Sequence, residues 1–495
     1  MGSTAGEVTR ADFPEGFVFG VATSAYQVRL DCHSTLPVLA AATGTALARL
    51  VDGGGGRLRG QEMKVAKAIA YGMYLQITKE DIELMAKLGF GAYRFSISWS
   101  RIFPDGLGTE INEQGVAFYN NLIDFMIEKG IQPYATLYHW DLPHNLQKTM
   151  GGWLSDKIVE YFALYAEACF ANFGDRVKHW ITINEPIQTC INAYAVGIFA
   201  PGLCKGVAAE PFLAGHHQIL AHAAAVDAKQ GGQVGFVIDC EWAEPMSDKM
   251  EDQAAAARRI DFQLGWFLDP IYFGDYPESM RQRVGEYLPK FSEKDRELMR
   301  NKIDFIGLNH YTTRIIGNRP NPQPQEIHFY QVEQIERSEK WSSGEAIGER
   351  VKTRPLSIHA ASEWLLIVPW GIRKTINYIV KKYENPIIYV TENGMDDEDD
   401  PSAPVDQFLN DTKRVNFFKG YVGAVAQAIK DGADVRGYFA WSFVDNFEWA
   451  MGFTKRFGIV YVDYKNGLSR HPKASAMWFS RFLNGEAADS KPDTN

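Results

Sequence analysis

Eight short runs rich in β-branched and aromatic residues recur along the 495-residue chain, at residues 17–22, 92–96, 132–137, 179–183, 234–239, 305–308, 387–390 and 437–440. Between them lie longer stretches with apolar residues at helical spacing, such as residues 79–88 and 116–129. Strands joined through helices can pair in parallel, because a parallel neighbour needs a crossover long enough to hold a helix. The alternation predicts a single (β/α)8 barrel, class α/β, over residues 12–481, with tails at 1–11 and 482–495. No linker rich in Ser, Gly or Pro divides the second half, and such barrels routinely exceed ordinary domain length as one unit.

In a barrel of this kind the chemistry sits where strands end and the following loops begin. Polar and aromatic residues fall at those places here. Gln27 follows the first run, Arg94 lies in the second, His139 and Trp140 follow the third, and Asn184 with Glu185 ends the fourth. Asn309 and Tyr311 end the sixth, Glu392 ends the seventh, and Trp441, Glu448 and Trp449 follow the eighth. Any one of these aromatics alone reads equally well as core. Their shared position singles them out.

Two glutamates stand in similar settings, in Ile-Thr-Ile-Asn-Glu-Pro ending at Pro186 and in Tyr-Val-Thr-Glu-Asn-Gly ending at Gly394. Either motif alone fits an exposed carboxylate where a strand runs into a turn. A fold that joins those strand ends faces Glu185 with Glu392. Cleaving a glycosidic bond needs such a pair, since one carboxyl must protonate the leaving oxygen while the other attacks or directs water. The pair predicts a glycosidase.

Composition argues against other classes. Charged residues make up 23% and hydrophobic residues 46%, as in a soluble globular protein. A formal net charge of −10 speaks against a nucleic-acid partner, because phosphate binding needs a basic surface. No segment reads as membrane-bound. The opening Met-Gly-Ser-Thr-Ala-Gly-Glu-Val-Thr-Arg has no apolar signal core, and Gly6 stands where a myristoylation signal has Ser or Thr. Cys32, Cys169, Cys190, Cys204 and Cys240 show no zinc or disulfide-framework spacing. These features predict reduced thiols in a cytoplasmic protein, where the sequon at Asn410 stays unmodified.

The chain resembles the glycoside hydrolase family 1 β-glucosidases, especially those of plants. Besides the two glutamate motifs, the likeness is carried by Phe-Val-Phe-Gly-Val-Ala-Thr-Ser-Ala-Tyr-Gln from Phe17, Tyr-Arg-Phe-Ser-Ile-Ser-Trp-Ser-Arg-Ile from Tyr93 and Tyr-His-Trp-Asp-Leu-Pro from Tyr138. Asn-His-Tyr-Thr from Asn309, Trp-Ser-Phe-Val-Asp-Asn-Phe-Glu-Trp from Trp441 and Lys-Arg-Phe-Gly from Lys455 complete it. The resemblance implies that Glu392 is the nucleophile, supported by Arg94, and Glu185 the general acid and later the base. It further implies that Gln27, His139, Asn184, Glu448 and Trp449 hold the sugar hydroxyls over Trp441. Tyr311 would hydrogen-bond the nucleophile, Phe457 line the glycone end and Trp364 form the aglycone wall. Glu185 separates the chain from the myrosinase branch, which lacks that acid. Glu448 would repel a 6-phosphate. An unphosphorylated β-D-glucoside, or a close relative such as a β-fucoside or β-galactoside, is the implied substrate, with no metal or organic cofactor.

Residues 29–77 depart from the family pattern. Arg29, Leu30, Asp31 and Cys32 follow Tyr26-Gln27-Val28, then an Ala- and Leu-rich stretch and four glycines from Gly53 to Gly56. The abrupt change and the equally abrupt recovery at Lys79 have the form of a shifted reading frame or retained intron; the alternative is a divergent loop and first helix. A second reading of the whole chain follows, a family member that binds glycosides without turnover or misfolds because of this segment. Smaller departures are a short helix before the fifth strand, over residues 221–231, an insertion at residues 351–359, and Cys204 without the partner found in secreted plant members.

Overall fold

Eight parallel strands close on themselves in the computed structural model, which describes residues 7–28, 77–203, 209–229, 231–320, 329–350 and 362–486. They are β1 (Val18–Ala22), β2 (Ala92–Ser96), β3 (Gln132–Tyr138), β4 (His179–Asn184), β5 (Gln233–Asp239), β6 (Phe305–Asn309), β7 (Ile388–Asn393) and β8 (Val435–Trp441). Each pairs with its neighbours in sequence, and β8 pairs with β1, aligning Ala22 with Trp441. The expected (β/α)8 barrel is present, with most strands a residue or two longer than their apolar runs because the polar residues at their ends continue the ladder.

Helices wrap the outside, among them Lys79–Lys87, Glu113–Glu128, Ile158–Phe173, Trp370–Lys382 and Thr412–Lys430. Lys79–Lys87 starts where the side chains of Thr78 and Asp81 each take up a backbone N–H of the first turn, leaving Ile82 and Met85 to pack inward. The helix before β5 is longer than the sequence suggested. It spans Glu210–Asp227, eighteen residues, because its buried face is built largely from alanines and histidines that give little apolar periodicity.

The barrel interior is packed solid below the strand ends. Tyr134 stacks on His179 at 4.2 Å and meets Phe439 and Tyr389 at 4.8 and 5.6 Å, while Phe305 meets Tyr389 at 5.0 Å. Gly20 makes room for this plug, since a Cβ there would lie 2.5 Å from the Phe439 ring.

Beyond the barrel, Trp242–Pro245, Thr313–Asn318 and Ile335–Ser338 form a three-stranded sheet that the sequence did not reveal. Ile77, the one described residue of the atypical stretch, joins the core. The rest of that stretch, the 351–359 insertion, Cys32 and Cys204 lie outside the described residues.

Candidate active site

Both glutamates follow an irregularity in their strand. The β4–β5 pairing steps from Ile181 with Gly235 to Asn184 with Val237, and the β6–β7 pairing steps from Val390 with Leu308 to Glu392 with Asn309. Such a step re-aims the side chains that follow. Glu185 itself is left-handed, with φ 45° and ψ 65°, and its N–H donates to the Val237 carbonyl at 2.9 Å. Pro186 then opens a short helix, a position where the missing N–H costs nothing. A non-glycine residue in that conformation is strained, and the strain is held by strand and helix on either side.

The two carboxyls meet different company. Glu392, 3% exposed, accepts from Arg94 Nη1 at 2.5 Å and from the Tyr311 hydroxyl at 2.7 Å. Glu185, 5% exposed, accepts at Oε1 from Asn309 Nδ2 at 2.6 Å. Burial, and then the nearby Asp239 and Glu392 carboxyls, push Glu185 well above the ordinary carboxylate range; Asn309 and Arg94 pull the other way without prevailing. One carboxyl is thus surrounded by donors and the other by acids.

A shared hydrogen-bond set joins them. Arg94 Nη2 donates to Asn184 Oδ1 at 2.6 Å, and Asn309 Nδ2 reaches the same oxygen at 3.1 Å. The Thr391 hydroxyl donates to Asn309 Oδ1 at 2.7 Å, fixing which end of that amide faces Glu185. Asn184 Nδ2 faces His139 Nε2 at 3.3 Å. Burial, reinforced by Arg94, holds His139 neutral, so Nε2 accepts and the proton sits on Nδ1, a buried atom with no partner among the described residues.

Around this set stands an aromatic wall. His139 lies parallel to Trp441 at 5.9 Å and to Trp449 at 6.1 Å; Trp449 meets Trp140 at 4.6 Å and Phe199 at 5.7 Å, with Tyr26 stacked behind it at 5.2 Å. Gln27 Nε2 donates to Glu448 Oε2 at 3.2 Å. Burial, followed by Asp396 and Glu392, pushes Glu448 up to about 8. A neutral carboxyl there can both give and accept hydrogen bonds.

The structure brings the expected residues to one end of the barrel. Trp364 stands at the rim, 46% exposed, its ring 5.7 Å from Tyr311. Phe457 is buried and sits edge-on to Tyr311 at 6.3 Å. Sequence reasoning missed how Asn309 holds Glu185, and passed over Phe199 and Asp239. Phe199 lies on a loop without periodicity. Asp239 ends β5, so the strand-end rule applied to the fifth run would have found it. Among the described residues no cluster of His, Cys, Asp and Glu is arranged to hold a metal ion.

A (β/α)8 barrel with carboxyls at the ends of β4 and β7 and an aromatic wall beside them defines a class, the O-glycosyl hydrolases. Residues 9–487 match the profile of Glycosyl hydrolase family 1. Rice β-glucosidase 4 is 68% identical over the full length of both chains, and Arabidopsis thaliana β-glucosidase 42 is 56% identical over 96% of this chain and 95% of its own. Among solved structures, a rice β-glucosidase mutant in a covalent complex with Glc from GA4GE superposes with a TM-score of 0.85 at 42% identity, covering 97% of this chain and 100% of that one. A Thermotoga maritima β-glucosidase gives 0.78 at 36%, covering 96% and 98%. The chain belongs to glycosyl hydrolase family 1.

Proposed function

We propose that the chain is a retaining β-glucosidase that removes terminal β-D-glucosyl residues from small-molecule glycosides or short oligosaccharides by double displacement. The observation that carries this is the contrast between the two carboxyls, Glu392 held by Arg94 and Tyr311, and Glu185 buried among acids. The covalent Glc complex of the rice relative supports it.

In the first step Glu392 attacks the anomeric carbon, forming a glycosyl ester, while Glu185 gives its proton to the departing aglycone oxygen. Loss of the Glu392 charge into the ester removes one source of repulsion on Glu185, which can then take a proton from water. That water attacks the anomeric carbon and releases Glu392, regenerating both groups. Gln27, His139, Asn184, Glu448 and Trp449 take the sugar hydroxyls, Trp441 the ring face, and Trp364 the aglycone. Asn184 holds the 2-hydroxyl, a contact that strengthens as the ring approaches the oxocarbenium-like transition state. The buried free thiols of Cys169, Cys190 and Cys240 agree with a cytoplasmic location, which imaging of a tagged chain would test.

Turnover of 4-nitrophenyl β-D-glucoside is the direct test. The parent should release glucose first as the β-anomer, seen by proton NMR, and Glu392→Gln should lose activity by a factor on the order of 10⁴ or more. A folded chain without turnover would favour a glycoside-binding family member instead.

A further inference from the structure

Asp239 closes β5 two residues beyond Val237, whose carbonyl takes the Glu185 N–H, and its side chain leaves the strand on the same face as that of Val237. Its Oδ2 accepts the Gln188 amide at 2.7 Å, and the Gln188 backbone N–H donates to the Glu185 carbonyl at 3.0 Å. On the other side Asp239 pairs in register with Asn309, the residue that holds Glu185 Oε1. The remaining oxygen, Oδ1, is buried, and no donor among the described residues reaches it. A buried carboxylate oxygen without a donor is costly. An asparagine carbonyl would accept from Gln188 equally well, so the local hydrogen bonding does not require an acid.

We propose that Asp239 is a positioning residue whose negative charge keeps the proton on Glu185, allowing aglycones with poorly leaving alkoxide oxygens to be cleaved at and above neutral pH. This rests on the reading of Glu185 as the general acid. The charged groups around the pair come from several elements. Glu392 on β7 adds repulsion on both carboxyls, Arg94 on β2 opposes it at Glu185, and Arg259 on the helix Met250–Ile260 opposes it at Asp239. The nearby Cys190 and Cys240 thiols are pushed up by burial and stay neutral. Asp239 and Glu392 both act to keep the proton on Glu185. Burial raises Asp239 itself to about 6, so its charge is present above that pH, where retention of the Glu185 proton matters most.

Asp239→Asn tests this through the pH dependence of kcat/KM on methyl β-D-glucoside and on 2,4-dinitrophenyl β-D-glucoside, whose leaving group needs no proton. The alkaline limb for the methyl glucoside should move to lower pH by about one unit, with roughly tenfold less activity at pH 8. Glycosylation by the dinitrophenyl substrate should be nearly unchanged. Should the asparagine variant fail to fold, Asp239→Ser is equally neutral and carries the same expectation. An unmoved alkaline limb in a folded variant overturns the inference. Glu185→Gln separates this failure from that of the underlying reading. If it shows no selective loss on the methyl glucoside, the general-acid assignment fails; if it does while Asp239→Asn leaves the limb in place, only the role of Asp239 falls.

Discussion

Asp445 and Glu448 stand three residues apart in the loop after β8, the first fully buried and the second half-buried, and they meet opposite fates. Asp445 accepts from Arg456 Nη1 at 2.7 Å, Lys473 Nζ at 2.9 Å and the Gly458 N–H at 3.0 Å. Burial works to raise it, yet Lys473 and Arg456 together leave it below the ordinary range. Glu448 has Gln27 as its hydrogen-bond partner and faces Asp396 and Glu392, so burial and like charge carry it up to about 8. One carboxyl ties the loop to Arg456 and to the start of the last helix, Ala474–Leu483. The other is left free to bind. Rigidity and reactivity thus come from the same chemical group, distinguished by which neighbours the fold supplies.

The comparison breaks most visibly at its paired end. Asp445→Ala would leave Lys473 and Arg456 buried without that partner, and urea unfolding should show a loss of about 3–5 kcal/mol. At the reactive end, Arg94→Met removes a donor to Glu392 and one to Asn184; steady-state kinetics should show kcat/KM down by roughly 10²–10³, and the melting temperature should fall as well, because Glu392 stays buried without its cation. Histidines widen the contrast to bases. Burial depresses His179, His216, His222 and His310 to about 4 each. The folded state therefore binds fewer protons than the unfolded chain between about pH 4 and 6.5, so stability falls as pH drops through that window. Thermal melts should register roughly 1–3 kcal/mol per histidine by pH 4. The smallest effect belongs to Glu448→Gln. A raised carboxyl costs stability increasingly from pH 4.5 to 8, so the variant should gain about 1–2 kcal/mol at pH 8 and nothing at pH 4.5, while KM for a glucoside rises.

The barrel was legible because its strands are short apolar runs whose polar ends recur with the fold's own period. Glu185, Glu392, Arg94 and the aromatic wall could be named from that rule and from the family motifs. The ion cluster was not, since nothing along the chain relates Asp445, Arg456 and Lys473 until the final helix folds back against the β8 loop. The outer sheet hid for another reason. Ile335–Ser338 reads Ile-Glu-Arg-Ser and offers no apolar run to mark a strand. Asp239 is within reach of the strand-end rule, yet one carboxyl there carries no motif of its own, and its link through Gln188 to Glu185 is what gives it meaning.

The Asn309 amide has a further consequence for where the mobile hydrogen resides. Thr391 takes the carbonyl end of that amide, leaving the NH2 end to face Glu185 Oε1. The carbonyl oxygen of a carboxylic acid is its better acceptor, so this fixed donor on Oε1 favours the proton of Glu185 on Oε2. A hydroxyl on the strand of one carboxyl therefore sets the direction in which the other delivers its proton.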